Sequence, residues 1–565
     1  MKILKYSLIA SAMGLASFGA TAAKYQIVDV GPDNASQSFG IGINNNDVLV
    51  GVSNNHFNFP VDLANLNYDA LESTIISAGL SDTISIEDIR NGVIDATALT
   101  FIRSYLGAIA GFLTQKVGDQ VAFIADASGT SELTLFDEFD PVLNSKTRNT
   151  TDLVNAINDN GIAVSSATTQ YRAVEVTPEP TEAIPEPVTT TYWVRDALNR
   201  KGVITRGDEK VVVESVATQY GGESYLTDIS NSGYVVGYGA VAISATAQAA
   251  IESVCGEITH AVILTSCVVD TYIAFNPMFE IKAFRWKIND ALEIVETTNL
   301  GIPFTPHADD NRTFASFATG VNEQGHSVGY AFDMTADEVT STGGVRLYPS
   351  YHDGQTMIRI PSPDDYFEGR AFDINDNDIA VGFGRKIVGG ANTPRFFYYD
   401  ATSGETVYPD GFFSSSASEA HGINNDGMVV GVAQINSSFG TVRREVGFSY
   451  DITSDAMTDL NEVVGCNSAY SIVEAKDIND NGVIAATALL TIDKRDAKGV
   501  VITNDDGSTV TDEVARAVKL VPIAGGEIDD CDPVVSPGSE RQGAGMGLYS
   551  LLLMFGLYAR RKLVR

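Results

Sequence analysis

The residues whose types and spacing come closest to a site of chemistry form a short run near the C-terminal end, Asp477-x-Asn479-x-Asn481-Gly482. Oxygen-bearing side chains at alternate positions followed by glycine make the first half of a calcium loop, and Asp373-x-Asn375-x-Asn377-Asp378 nearly repeats it. A full loop would supply a bidentate Glu at its twelfth position, where this chain has Ala488. Asp, Asn and Gly are also what tight turns select, because short polar side chains bond nearby backbone groups. The turn reading outweighs calcium. Calcium on Asp477, Asn479 and Asn481 stays as the one cofactor the sequence offers.

Other chemistry is harder to place. The six histidines (56, 260, 307, 326, 352 and 421) show no ligand spacing, and there is no H-E-x-x-H, G-x-S-x-G elbow or Walker loop. Acid pairs such as Asp309-Asp310 and Asp364-Asp365 could serve a glycosidase or lyase, but catalytic pairing is a matter of space. With 37 Lys+Arg against 72 Asp+Glu the formal charge is −35, which disfavours nucleic acid as a partner. Four cysteines, none in a C-x-x-C pair, fit two disulfides in an exported chain. Of three possible connectivities, proximity favours Cys255–Cys267 and Cys466–Cys531.

The elements that would position these residues repeat. Seven copies of one twelve-residue unit occur: Gly40–Gly51, Val154–Ser165, Leu226–Gly237, Ala318–Gly329, Ala371–Gly382, Ala420–Gly431 and Ala475–Ala486. The fourth position is always Ile or Val, a buried anchor. Asn follows in six copies and Ser230 in the other, which suits a side chain that starts a turn. The eighth position is Gly in five copies and Asp47 or Asp378 in two, as a positive-φ turn residue requires. Five copies end in Gly, where another backbone can come close.

A further strand, usually aromatic, trails each copy: Val121–Asp126, Thr191–Asp196, Ala283–Lys287, Arg346–Tyr351, Arg395–Asp400, Val446–Asp451 and Ala515–Leu520. Such small antiparallel sheets cannot bury both faces alone, so they must pack on one another. The closed solution is an all-β fold, a β-propeller of about seven blades over residues 24–530. The fifth-position residues of the last copies are 53, 49 and 55 apart, whereas earlier intervals are 114, 72 and 92. Blades one to three therefore carry insertions, at 56–116, 166–190 and 238–280. The first contains an expected helix over Ala96–Gln115, packed rather than spanning a membrane because Arg103 interrupts it. The second, with four prolines, reads as an extended solvated loop.

Here the chain resembles the HAF-repeat proteins of bacteria, whose A-x-x-I-N-x-x-G-x-V-V-G hairpin is paired with an A-F-x-W strand. Ala283-Phe284-Arg285-Trp286 matches that strand, and Val28-Asp29-Val30-Gly31 resembles the lead-in to a first repeat. The resemblance covers most of residues 24–521 and implies fold and export, with no established activity.

The two ends read as addresses. Lys2 and Lys5, an apolar or small stretch from Tyr6 to Gly19, and small residues through Ala22 and Ala23 make a signal peptide over 1–23. After a linker over 531–542, Gly543-Ala544-Gly545 opens a tail over 543–565 whose apolar run ends in Arg560-Arg561-Lys562. That tail resembles the GlyGly-CTERM sorting signal, with Gly-Ala-Gly in place of an unbroken Gly-Gly. The resemblance implies a rhomboid-type sorting protease and type II secretion, and delivery to the cell surface or medium. Unprocessed, the protein would remain tethered in the inner membrane by its tail, facing the periplasm. Loss of both ends takes the formal charge from −35 to −41.

The functional expectation is an exported binding module with an unidentified extracellular ligand, taken at the central face or on the insertions of blades one to three. The alternative is a polysaccharide- or peptide-degrading enzyme on the same scaffold. A convergent cluster of His, Arg and carboxylates at the central mouth would favour the enzyme.

Overall fold

Strand pairing builds seven four-stranded antiparallel sheets among the described residues, and they close into a seven-bladed β-propeller. The computed structural model describes residues 24–527 apart from 109–112, 119, 181–184, 198, 275–277, 335–342, 436–442 and 466. The expected signal peptide with Ala22 and Ala23, the expected Cys466–Cys531 pair, and the expected 531–542 linker and sorting tail with Gly543, Ala544 and Gly545 lie outside the described residues.

Blade five is the plainest copy. Tyr366–Ile374 lies innermost, followed by Ile379–Val388, Ala391–Asp400 and the short outer strand Glu405–Val407. Each twelve-residue unit is the first hairpin of a blade, and its eighth residue has positive φ in all seven, from 59° at Asp47 and Asp378 to 87° at Gly233. The pairing slips by one residue at the second position of every unit, from Gly40/Gly42 in blade one to Ala475/Asp477 in blade seven. Seven bulges at one template position re-aim seven inner strands alike. The bulge also presses the inner strand's carbonyl onto the twelfth residue. A Cβ on Gly382 would lie 2.1 Å from the Arg370 carbonyl oxygen, and one on Gly329 would lie 1.9 Å from that of Phe317.

Blade seven is closed by the chain's two ends. Tyr470–Ile478, Ile484–Asp493 and Thr511–Pro522 pair in order, and Tyr25–Asp29 adds as the outer strand. The Val28–Gly31 segment is thus the closing strand and its exit. Six of the seven expected trailing strands are third strands. Thr191–Asp196 is not: Thr190–Val194 pairs with Arg172–Val176 in a separate two-stranded ribbon, and Arg200–Arg206 is the third strand of blade two. The aromatic signal misled because Gly202 stands on that strand, where a Cβ would meet the Leu226 side chain at 2.7 Å. Tyr192 instead packs against the helical insertion of blade three.

Two insertions are helical. That of blade one holds α1 (Tyr68–Ser77), α2 (Ile86–Arg90) and α3 (Ala96–Ala108), capped at Asn67, Ser85 and Asp95. It has its own core, centred on Leu71, Ile89 and Ile102. The helix expected to reach Gln115 is described to Ala108, and Arg103 packs over the Phe59 ring at 5.8 Å. Among the described residues no helix is long and apolar enough to cross a membrane. In blade three, α4 (Ala245–Cys255) and α5 (Ala261–Ala274) are joined by the Cys255–Cys267 disulfide.

Candidate functional site

The repeat's polar residues meet around the central channel. The fifth-position side chains are 3–6% exposed, and in six blades the Asn amide donates to the fifth-position carbonyl of the next blade. Asn44 reaches Asn158 at 2.9 Å, Asn375 reaches Asn424 at 3.0 Å, and Asn479 reaches Asn44 at 2.8 Å across the ring closure. The same amide's oxygen accepts N–H groups of its own turn, as Asn375 does from Asn377 and Ile379 at 3.0 Å. Ser230 is too short to cross and bonds only within its turn.

A second circuit runs through the sixth position. Each backbone N–H donates to the side-chain oxygen of the next blade's residue, in the order Asn45, Asp159, Asn231, Glu323, Asp376, Asn425, Asp480 and back to Asn45, at 2.7–2.9 Å. These residues line the channel mouth, a space of about 170 Å³. One level deeper, Asp228, Asp373 and Asp477 sit on alternate seams. Each accepts the next residue's N–H and, with its other oxygen, a backbone N–H of the next blade at 2.8–2.9 Å. Blades four, six and one have Gly at this level, where a Cβ would meet the backbone of the following blade: Asp373 Cα at 2.9 Å from Gly320, Asp477 Cα at 3.0 Å from Gly422, and the Asn155 carbonyl oxygen at 3.4 Å from Gly42. Burial raises Asp228 and Asp477 to about 6, and burial with the two neighbouring carboxylates raises Asp373 well above its ordinary value.

The three residues of the calcium expectation are therefore engaged one by one with blade one. Asp477 accepts from the Ile43 N–H, Asn479 donates to the Asn44 carbonyl, and Asn481 donates to the Asn45 carbonyl at 2.9 Å. Among the described residues no group of three or more His, Cys, Asp or Glu is placed to hold a metal ion. Below the aspartates a space of about 210 Å³ is lined by His421, Lys476 and the same three carboxylates. His421 donates to the Ala475 carbonyl, and burial, helped by Lys476, lowers its pKa to about 4, so its ring is neutral. The sequence reading missed this cluster. His421 and Lys476 share the bulge position, and the Asp/Gly alternation at the third position was visible in the repeats.

A larger space opens where blade seven meets blade one, a cleft of about 1260 Å³. Its floor is Arg516, which grips Asp29 through Nε and Nη2 at 3.0–3.2 Å. Arg516 also donates to the carbonyls of Gly31 and Pro32, fixing the turn from the closing strand into blade one. Gln37 and Asn55 of blade one form one wall, and Asp493 with Glu513 of blade seven the other. The roof is Arg103 and Ser104 of α3 with the blade-seven excursion after Asp493. That excursion is stitched to blade one, since the Asn58 N–H donates to the Ala497 carbonyl at 2.8 Å. Arg103 donates to the His56 carbonyl at 3.1 Å, and His56 shares a hydrogen bond with Ser53 at 3.1 Å.

The chain belongs to a family described as "Protein of unknown function (DUF3466)", whose model matches residues 4–562. No curated protein matches it. Among solved structures it is similar to the oligogalacturonate lyase of Vibrio parahaemolyticus, at 9% identity and a TM-score of 0.27 over 66% of this chain and 98% of that one. TolB of Acinetobacter baumannii is 12% identical, with a TM-score of 0.27 over 89% and 98%. Dipeptidyl peptidase 4 of Porphyromonas gingivalis is 9% identical, with a TM-score of 0.31 over 68% of this chain and 51% of that one. Likenesses this distant carry nothing about activity.

Proposed function

We propose that this member of the DUF3466 family is an exported binding module whose ligand is held in the blade seven–one cleft. One observation carries the reading: the cleft gathers the closing strand's exit, α3 and the blade-seven excursion onto the strand ends of blades one and seven, and its roughly 1260 Å³ has room for a ligand, whereas the channel spaces of about 170 and 210 Å³ fall below the ~300 Å³ at which ligand pockets begin. The channel's polar groups already hold the blades together. The enzyme reading draws on His421, Lys476 and the three aspartates, but every one of those carboxylates is engaged with backbone N–H groups. Delivery rests on the signal peptide over 1–23 and the sorting tail over 543–565, with type II secretion and a rhomboid-type protease as export partners.

Two measurements test this. The intact mass of the native protein from fractionated cells should lack both ends in the surface or medium fraction; a mass retaining Arg565 in the inner membrane would refute the sorting. The purified chain, and a variant with Gln37→Trp and Ser104→Trp filling the cleft, should be compared on peptide and glycan arrays. Binding lost in the variant is expected. Turnover of a polysaccharide or peptide that survives cleft filling and falls in His421→Ala would instead establish the enzyme.

A further inference from the structure

The third strand of blade seven, Thr511–Pro522, has twelve residues, but the closing strand Tyr25–Asp29 has only five and pairs no further than Val518. The Val30 N–H still reaches the Ala517 carbonyl at 3.0 Å, and the Ala517 N–H is taken by Ser38 Oγ at 3.0 Å. Beyond that point the chain turns away at Gly31, held there by Arg516. Antiparallel pairing alternates, so Ala517 faces outward and so do Ala515, Glu513 and Thr511, while Arg516, Val514 and Asp512 face their partners on the second strand. No described residue takes up the outward N–H and C=O groups of Ala515, Glu513 and Thr511. An open edge of this kind templates a further strand.

This edge belongs to the wall of the cleft, which Asp512, Glu513 and Val514 line. The fourth-strand position is thus occupied by the closing strand for half its length and is continuous with an open cleft for the other half. The charges facing that space are six carboxylates against four basic groups, in a chain of net charge −35. Arg516 neutralises Asp29, and Lys494 lies 3.6 Å from Asp512. Arg103 and Arg495 are turned to the carbonyls of His56 and Gly499. Asp33, Asp493 and Glu513 remain on the walls. The chain's own segment after Glu527 carries Asp529, Asp530 and Asp532, the wrong sign for this place.

We propose that the Thr511–Ala515 edge takes an extended basic peptide from a partner as an added strand of blade seven, collinear with Tyr25–Asp29. Main-chain hydrogen bonds would supply affinity and the wall carboxylates the preference for Lys or Arg at alternate positions. This deepens, and rests on, the reading of the cleft as a ligand seat.

The probes are a fluorescein-labelled (Lys-Val)4 peptide, its (Glu-Val)4 counterpart, and (Lys-Val)4 with alternate amides N-methylated, each titrated into the purified full chain by fluorescence anisotropy. Expected is saturable binding of (Lys-Val)4, weakened by about tenfold or more by N-methylation, by the Glu peptide and by Glu513→Pro. Proline at 513 removes only an outward N–H, so the ladder to the second strand survives. If that variant fails to fold, the N-methylated probe asks the same question of the native chain. Equal binding of the N-methylated or acidic peptide, or no binding of (Lys-Val)4 at millimolar concentration, overturns the proposal. So does a dimer in sedimentation that the peptide cannot compete, which would assign the edge to a second copy. An array ligand that is lost on cleft filling while (Lys-Val)4 does not bind would refute strand addition and leave the binding-module reading standing.

Discussion

Asn479→Asp separates the two readings of the Asp477–Gly482 run. Asn479 is 4% exposed, and its amide donates to the Asn44 carbonyl at 2.8 Å and to Asp47 Oδ1 at 2.9 Å, while its oxygen accepts the Val483 N–H at 2.8 Å. Aspartate keeps the last bond and turns the first two into contacts between a carboxylate and two acceptors. The neutral bond is worth about 1 kcal/mol and the one to a carboxylate about 2 kcal/mol, and a buried charge without a partner adds to both. The seam between blades seven and one should therefore weaken by about 4 kcal/mol. In a calcium loop the same change places the preferred ligand at the third position and strengthens the site. The assay is urea unfolding followed by circular dichroism, in EDTA and in millimolar calcium chloride. A large drop in midpoint, the same with and without calcium, is expected. A midpoint that is unchanged, or that calcium restores, would refute the account of the fifth-position circuit.

Ser230→Asn should complete that circuit, since among the described residues the Asn322 carbonyl accepts the Gly325 N–H and no amide from blade three; a gain of about 1 kcal/mol is expected, and a lower urea midpoint would show that the longer side chain does not fit. Gly382→Ala places a Cβ 2.1 Å from the Arg370 carbonyl oxygen, so the bulge must open at a cost of about 2 kcal/mol, measured by the same unfolding; a neutral result would mean that the seam is pliable. The channel aspartates make stability depend on pH. A carboxyl raised to about 6 in the folded chain holds its proton there first, so the stability it contributes is complete below the unfolded pKa of about 3.8 and is lost as pH rises through 6. Asp477→Asn should accordingly lose less stability than the wild type between pH 4 and 7, by about 3 kcal/mol at 1.4 kcal/mol per unit; parallel pH profiles would show that the carboxyl titrates normally.

What was legible in the sequence is what a single hairpin needs. The Ile or Val anchor, the turn Asn and the positive-φ Gly or Asp act within one unit, and repetition made them visible even where intervals ran to 114 residues. The propeller follows from seven such units, since none can bury both faces alone. What was hidden depends on neighbours in space. The Asn amide's second partner lies 49 to 114 residues away within the chain and 435 residues away at the closure. The outer strands are as short as Met357–Arg359, too short to show a pattern. The third strand of blade two was misplaced because aromatic content stood in for position, and Gly202 follows from the approach of Leu226 rather than from any strand preference. The cleft was not legible at all, because it draws on the closing strand, an insertion and a hairpin extension from opposite ends of the chain.

The division of labour between repeat and insertion also indicates where ligand specificity can reside. An Asn that is buried, with its amide oxygen holding its own turn and its amide nitrogen holding the next blade, is committed to the scaffold rather than to a ligand, and six of seven copies are of this kind. The motif that looks most like a binding site is thus the one least free to be one. Groups not so engaged must come from segments the repeat does not constrain, and these converge at the seam that the closing strand leaves half covered. Arg516 links the two roles, because the guanidinium that anchors the closing strand's exit also forms the cleft floor. Closing the ring and shaping the cleft are therefore one event, and a ligand that bridges the Thr511–Ala515 edge to blade one would reinforce the closure that Tyr25–Asp29 makes with Thr511–Pro522.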